Sequence, residues 1–170
     1  AVQQYQQALS CAHEALPLAK GTEIEADVLN LLAVINIRLS DYDEAAKYAK
    51  QCYSLDEKTG DTDVMSSSLN TLAAIYMGAN QPKEAEKYVL KGIEMAEKAN
   101  NPSRMAVLQA MASEVYHAKG DDQKALSYIE RAYQIVKINA GIPDIFGRNC
   151  PEIHSVAIFA FVLRIRRTAD

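Results

Sequence analysis

The segment Asp41-Tyr-Asp-Glu-Ala-Ala-Lys-Tyr48 recurs twice further along the chain. The first recurrence is Gln81-Pro-Lys-Glu-Ala-Glu-Lys-Tyr88 and the second is Asp121-Asp-Gln-Lys-Ala-Leu-Ser-Tyr128, so the starting residues 41, 81 and 121 are 40 residues apart. A fixed period of this size is typical of repeat proteins, in which each repeat is one unit that buries its apolar face against its neighbours. The sequence therefore predicts an array of three stacked repeats.

Small residues recur in the same register outside that segment. They form three sets whose members are 40 residues apart: Ala45, Ala85 and Ala125; Cys52, Gly92 and Ala132; and the pairs Leu32-Ala33, Leu72-Ala73 and Ala112-Ser113. Small side chains at a helix contact permit the closest approach of two helices. The abundance of Ala, Leu, Glu and Lys also favours helices. Together these patterns predict an all-α fold of antiparallel helix hairpins, one hairpin per repeat.

The register resembles that of the tetratricopeptide repeat family, in which small residues let the two helices of a hairpin pack closely. The resemblance implies a right-handed α-solenoid. The family's usual period is about 34 residues, and the longer period here resembles repeats of bacterial sensory and regulatory proteins. Charged residues replace the proline that commonly closes the family's second helix: Glu57, Glu97 and Lys137. The aromatic residue expected late in the first helix is present as Tyr76 and Tyr116, but Asn36 replaces it in the first repeat.

The predicted repeat domain covers residues 1–139. It begins with an orphan helix over residues 2–16, which Pro17 ends or kinks because proline removes a backbone donor and clashes with the preceding turn. The three predicted repeats cover about residues 22–60, 62–100 and 102–139.

Two segments fit the capping box, in which a hydroxyl or carboxylate side chain and a glutamate three residues later cap the start of a helix. The first runs from Thr22 to Glu25, and the second pairs Asp41 with Glu44. Helix starts are therefore predicted at both places.

Residues 140–170 depart from the repeat pattern. Glycines and prolines between residues 139 and 151 predict a loop. Residues 152–167 contain an apolar run, Val156 to Leu163, without a clean polar face. This segment is predicted to be a C-terminal helix with three alternative roles: a cap on the solenoid, a contact with another chain, or the edge of a further region.

The bulk composition argues against several classes of partner. The net charge of −4 disfavours broad electrostatic attraction to nucleic acid. No apolar run approaches the roughly 20 residues that a membrane span needs. The three cysteines are an odd number and widely spaced, so no disulfide framework is predicted. Cys11 and Cys52 are instead expected to be buried as small apolar residues.

No catalytic, cofactor or metal site is predicted, so the chain is not expected to be an enzyme. The three histidines, His13, His117 and His154, fall on different elements. Cys150 and His154 supply half of a metal site, without a second pair to complete four ligands. No glycine-rich phosphate loop follows a strand.

The functional surface of the tetratricopeptide repeat family is a concave groove lined mainly by the first helix of each hairpin. The register then gives eight candidate peptide-binding residues: Asn30, Val34, Ile37, Arg38, Asn70, Met77, Glu114 and His117. Asn30 and Asn70 occupy the same position one repeat apart. A side-chain amide both donates and accepts, so it can pair with the backbone of an extended peptide whatever the peptide's sequence. The alternative is that both asparagines bond neighbouring helices or water, and that Ile37 and Met77 belong to the interhelix core.

The leading functional hypothesis is a non-enzymatic module that captures a protein or peptide of unknown identity in this groove, as the sensory or scaffold part of a larger bacterial regulator. The basic clamp with which one subclass of the family grips a C-terminal carboxylate is not supported, because Asp27, Ser67 and Val107 stand at aligned groove positions. Asp27 and Glu114 favour a neutral or basic segment instead. The alternative hypothesis is a structural element that forms a homo-oligomer through residues 152–167.

Overall fold

The computed structural model describes residues 2–139, which form seven α-helices and no strand. In chain order the helices are α1 (Val2–Ala19), α2 (Glu25–Arg38), α3 (Tyr42–Thr59), α4 (Thr62–Gly78), α5 (Pro82–Lys98), α6 (Pro102–Ala118) and α7 (Asp122–Asn139). The all-α prediction is confirmed. Helices α3, α5 and α7 begin at residues 42, 82 and 122, in the register of the repeated segment.

The helices stack in order along the chain. Each packs against the next, and α4 also contacts α6. Turns of two or three residues join the helices from α2 to α7, and connections this short make neighbouring helices antiparallel. The first helices of the hairpins (α2, α4 and α6) therefore form one layer of the solenoid, and the second helices (α3, α5 and α7) form the other.

A left-handed residue lies in each turn from α2 to α7. Three equivalent residues turn the first helix of a hairpin into the second: Ser40 (φ 61°), Asn80 (φ 56°) and Gly120 (φ 81°). Gly60 and Asn100 play the same part between hairpins, with φ of 71° and 50°. A left-handed residue commonly ends a helix because it directs backbone donors to the last free carbonyls. The turns thus repeat in conformation although their residue types vary.

The predicted cap at Asp41 forms, because its side chain accepts a hydrogen bond from the Glu44 backbone N–H at 3.2 Å. The predicted cap at Thr22 is wrong. The Thr22 hydroxyl donates to the Ala19 carbonyl at 2.6 Å, and Glu25 Oε2 accepts from the Gly21 N–H at 2.7 Å. Left-handed Gly21 folds this segment back on the end of α1, so Thr22 caps the preceding helix instead of the next one.

Helix α1 continues past its predicted end. It contains Pro17 and stops at Ala19, three residues beyond residue 16. Because Pro17 lies in the last turn, its missing donor removes one hydrogen bond without dividing the helix. The predicted stop at this proline is therefore wrong.

The repeated small residues lie where helices press together. Ala45, Ala85 and Ala125 are each 0% exposed. A Cβ at Gly92 would come within 2.8 Å of Leu108 Cδ2 and 3.4 Å of Leu69 Cβ. This position therefore has almost no free volume in the central repeat, whereas Cys and Ala occupy it in the flanking repeats.

The two cysteines of the described helices differ. Cys52 is buried as expected, with its Sγ 3.6 Å from the Ala26 carbonyl oxygen. Cys11 is exposed, so the prediction that it is buried is wrong. Helix α1 is the first of the described helices and packs mainly against α2, and Cys11 lies on its exposed face. The predicted C-terminal loop and apolar helix, with the oligomer contact through residues 152–167, lie outside the described residues.

Candidate peptide-binding groove

The candidate groove is the surface formed by α2, α4 and α6. All eight predicted binding residues lie on these helices: Asn30, Val34, Ile37 and Arg38 on α2, Asn70 and Met77 on α4, and Glu114 and His117 on α6. None of the eight is fully buried. Asn30, Val34, Arg38 and Glu114 are exposed, whereas Ile37, Asn70, Met77 and His117 are half-buried.

Exposure on the first helices changes along the stack. Leu31 and Val34 on α2 are 50% and 40% exposed. Their counterparts on α4, Thr71 and Ala74, are half-buried. Helix α4 is the central first helix and packs beside α6. Atoms of α6 therefore shield part of α4 from solvent. The centre of the groove is therefore more enclosed than its α2 end.

Asn70 carries an unsatisfied acceptor in this enclosed part. Its Oδ1 atom is buried and has no hydrogen-bond partner among residues 2–139. Most buried side-chain acceptors in proteins are paired, and an unpaired one costs about 1–3 kcal/mol. The alternative in which a neighbouring helix binds this oxygen is therefore not realised in the described part of the chain. Asn30, its counterpart on α2, is exposed to solvent.

Glu114 is exposed but incompletely hydrated. Surrounding protein atoms desolvate its carboxyl group and raise its pKa above the ordinary value, and no charged neighbour in the described helices contributes to this shift. Desolvation raises the pKa of an acid because it disfavours the charged form. Glu114 is therefore an exposed acidic side chain whose carboxyl group is partly shielded from water by the surrounding protein.

Three of the predicted residues also have structural contacts. Ile37 and Met77 pack against the two larger core clusters, so each is a core residue with one side open. His117 Nδ1 lies 2.7 Å from Asp122 Oδ1, which joins the end of α6 to the start of α7. These three residues therefore have structural roles on the helices of the candidate groove.

Gln109 was missed by the sequence analysis. It occupies the α6 position at which α2 and α4 carry Leu29 and Leu69. The residue is 5% exposed, and its Oε1 atom has no hydrogen-bond partner in residues 2–139. Gln109 could have been identified from the sequence, because it is a polar residue at a repeat position that carries leucine in the other two repeats.

Asp56, Ser68 and Cys52 form a second group of polar side chains in the interior, and Cys52 occupies the small-residue position of the first repeat. The Asp56 carboxylate accepts a hydrogen bond from the Ser68 hydroxyl, and Cys52 Sγ lies 3.9 Å from Asp56 Oδ2. Burial raises the pKa of the Cys52 thiol, and the Asp56 charge adds to that effect. The group joins α3 to α4 and keeps the thiol in its unreactive form.

The described helices contain no group of three or more histidine, cysteine or acidic side chains that could hold a metal ion. None of them is both long and apolar enough to cross a membrane.

Comparison with known families identifies the repeats. A tetratricopeptide repeat profile matches residues 64–138, and a second profile of the same description matches residues 26–59. The chain belongs to the tetratricopeptide repeat family. A search of curated proteins returned no match.

Solved tetratricopeptide repeat structures share the fold at low sequence identity. The crystal structure of BtubC (BKLC) from P. vanneervenii aligns with a TM-score of 0.79 and 20% identity over 98% of this chain. A kinesin light chain-like protein from Podosopora anserina, with nearly identical TPR-like repeats, aligns with a TM-score of 0.75 and 18% identity over 97% of this chain and 79% of its own. A point variant of the same Podosopora anserina protein aligns with a TM-score of 0.77 and 19% identity over 97% and 78% of the two chains.

This chain spans 66% of the length of the BtubC chain. Identities this low establish the fold alone. The tetratricopeptide repeats indicate a protein-interaction scaffold in general terms, and the family and its fold are typically non-catalytic.

Proposed function

We propose that this protein captures an extended peptide segment in the groove formed by α2, α4 and α6. The observation that carries the proposal is the buried Oδ1 atom of Asn70, which has no hydrogen-bond partner among residues 2–139. Rotation of the half-buried Asn70 side chain would present this oxygen to a backbone N–H of a bound peptide, a donor that every residue except proline offers. Asn30 provides a second amide at the same position of the preceding repeat.

The walls of the groove supply apolar area for the rest of such a segment. Val34 and Leu31 on α2 are exposed, and Val107 on α6 is 49% exposed. Covering apolar surface of this kind contributes roughly 25 cal/mol per Å². The half-buried Met77 adds an adaptable wall at the end of α4, because methionine adjusts to differently shaped partners.

A phage-displayed library of random dodecapeptides on the whole chain tests this function. The most enriched peptide is synthesised, and its affinity is measured by calorimetry for the wild type, Asn70→Ala and Asn30→Ala. We expect Asn70→Ala to lose about five- to 150-fold in affinity, corresponding to the roughly 1–3 kcal/mol of an unpaired buried group. Its melting temperature should not fall, because the oxygen makes no bond to a described residue.

Gln134→Ala on α7 is the matched control, because it removes an exposed amide from a second helix. It should leave the affinity unchanged. A lower melting temperature for Asn70→Ala together with unchanged affinity would assign Asn70 a structural role and contradict the proposed use of the groove.

We also propose that the module serves as the sensory or scaffold part of a larger bacterial regulator. The 40-residue register supports this, because it resembles the repeats of such proteins. Reading the complete open reading frame is the test. An adjoining output domain would support this context, and a frame encoding repeats alone would contradict it.

The alternative role is assembly of copies of the chain through residues 152–167. The exposed Val136 and Ile138 near the end of α7 favour it, because they leave apolar surface at that end of the solenoid. Comparing the mass of the whole chain in size-exclusion chromatography with that of a chain ending at residue 149 tests the alternative. Equal oligomeric states would exclude it.

A further inference from the structure

Asn70 on α4 and Glu114 on α6 each carry an acceptor without a donor from residues 2–139. The Asn70 Oδ1 atom is buried and has no partner there, and desolvation is the one cause that shifts the pKa of the exposed Glu114 carboxyl. Asn70 is neutral, whereas Glu114 carries a full negative charge when ionised. A segment that satisfied both would bring donors, and at Glu114 the strongest donor is a cation.

We propose that the groove selects peptide segments carrying a lysine or arginine, and that Glu114 binds that cationic side chain. This rests on the proposed function, since it names the chemistry of the segment that the same groove captures. Under this proposal, Glu114 determines which side chain of the peptide is preferred, whereas Asn70 binds the peptide backbone.

Within residues 2–139, no cationic side chain contributes to the shifted pKa of Glu114. Its neighbours on the same face of α6, three and four residues away, are Ala110, Met111, His117 and Ala118. His117, the one titratable group among them, has its Nδ1 atom 2.7 Å from Asp122. Across the groove, the register places Ala74 of α4 and Val34 of α2 at the equivalent positions.

Many other acidic residues of the solenoid form an ion pair with a lysine, and Glu114 differs from them. Glu44, Glu84 and Glu94 each pair with a lysine one turn away on their own helix. Glu57 pairs with Lys91 of α5, and Glu86 pairs with Lys119 in the turn after α6. The Glu114 carboxylate is desolvated without a compensating cation from residues 2–139. A ligand cation would provide that compensation.

The same charge discriminates against acidic segments. A carboxylate of a ligand placed beside Glu114 would be repelled, and repulsion of a wrong partner contributes to specificity as much as attraction of the right one. The exposed Asp27 on α2 and the net charge of −4 act in the same direction at longer range.

Three nonapeptide libraries provide the test. In each, one position is fixed as Lys, Gln or Glu, and the other positions are drawn from uncharged residues. Fluorescence anisotropy of the labelled libraries gives apparent affinities for the whole chain. We expect the wild type to bind the Lys library about tenfold more tightly than the Gln library, as for a hydrogen bond to a charged group. The Glu library should bind most weakly.

Two variants assign the preference to Glu114. Glu114→Gln should reduce the ratio of Lys to Gln affinities to about one, and Glu114→Lys should reverse it in favour of the Glu library. Glu130→Gln on α7 is the control and should keep the wild-type ratio, because it removes an exposed charge from a second helix. Thermal melting by circular dichroism verifies that each variant is folded.

The outcomes separate this inference from the proposed function. An unchanged Lys preference in Glu114→Gln, or equal affinities of the wild type for all three libraries, would overturn the inference. In either case, weaker binding by Asn70→Ala than by the wild type would still support the proposed peptide-binding function of the groove. Failure of all three libraries to bind the wild type would overturn both.

Discussion

The rings of Tyr76 and Tyr88 stack face to face, with centroids 5.2 Å apart and planes inclined by 4°. Forty residues later Tyr116 and Tyr128 repeat the arrangement at 5.2 Å and 8°. Each stack joins the end of the first helix of a hairpin to the start of the second. The first hairpin cannot form it because Asn36 replaces the first tyrosine, and its amide donates to the Leu32 carbonyl at 2.8 Å.

The stacks should couple the two helices of a hairpin energetically. In a double-mutant cycle of Tyr76→Leu and Tyr88→Leu, we expect a coupling of about 0.5–1.5 kcal/mol, the range found for aromatic pairs beyond their buried area. Urea unfolding of the four proteins measures it. Tyr116 and Tyr128 should give a similar value. Additive effects of the two substitutions would show that the stack contributes only through its buried area.

The repeated alanines allow a direct test of helix packing. Ala85→Leu should destabilise the protein by about 1–3 kcal/mol, because a fully packed contact cannot accept the added volume. Ala45→Leu and Ala125→Leu should act in the same direction. The effect at Ala85 should be largest, since its repeat has a neighbour on each side. The exposed Ala8 provides the control: Ala8→Leu should change the melting temperature little, and equal melting of all the variants would contradict the register.

The repeat register predicted the fold because periodic small residues report helix contacts directly. It could not predict how closely each contact packs. Cys52, Gly92 and Ala132 are equivalent in sequence, yet at the central position a larger residue would require the Leu108 side chain to shift. The cap at Thr22 was mispredicted for a related reason, since its geometry depends on the left-handed turn at Gly21 and the end of α1.

The groove residues were partly predictable. The register placed Asn70 and Glu114 on first helices, but whether a polar atom finds a partner depends on the positions of all its neighbours. The lack of a partner for Asn70 Oδ1 within residues 2–139 and the desolvation of Glu114 therefore emerged only from the structure.

Ser40 adopts a left-handed conformation that suits glycine better than serine. Its φ is 61°, and Gly120 occupies the equivalent turn at 81°. Ser40→Gly should stabilise the protein by about 0.5–1 kcal/mol, because the relief of left-handed strain outweighs the added entropy of the unfolded chain. Ser54→Gly within α3 is the matched control and should destabilise by up to about 1 kcal/mol. Thermal melting compares them, and destabilisation by both would show that Ser40 is unstrained.

Replacing Gln109 by leucine, the residue at this position in the other two repeats, should increase the stability of the protein. Gln109→Leu removes a buried acceptor that has no partner in the described helices, and it introduces the residue type that stands at the equivalent positions Leu29 and Leu69. We expect a gain of about 1 kcal/mol, since replacing an unsatisfied polar group by an apolar group of similar shape is neutral or favourable. Gln134→Leu on the exposed face of α7 is the control for added apolarity. A loss of stability in urea unfolding would show that the Gln109 amide is satisfied in solution.

Glu114 should make stability depend on pH in a defined direction. Its folded-state pKa is raised above 4.5 by desolvation, so the folded protein binds this proton more tightly than the unfolded chain. Its favourable contribution is present below pH 4.5 and is lost as the pH rises through the raised value. Glu114→Gln removes the ionisation, so it should match the wild type in acid and be more stable at neutral pH. The gain should stay below about 1 kcal/mol because the exposed group is screened by solvent. Melting temperatures of both proteins from pH 3.5 to 7.5 check this, with Glu130→Gln as a control for surface charge. A pH-independent difference between Glu114→Gln and the wild type would show that the Glu114 carboxyl is fully hydrated.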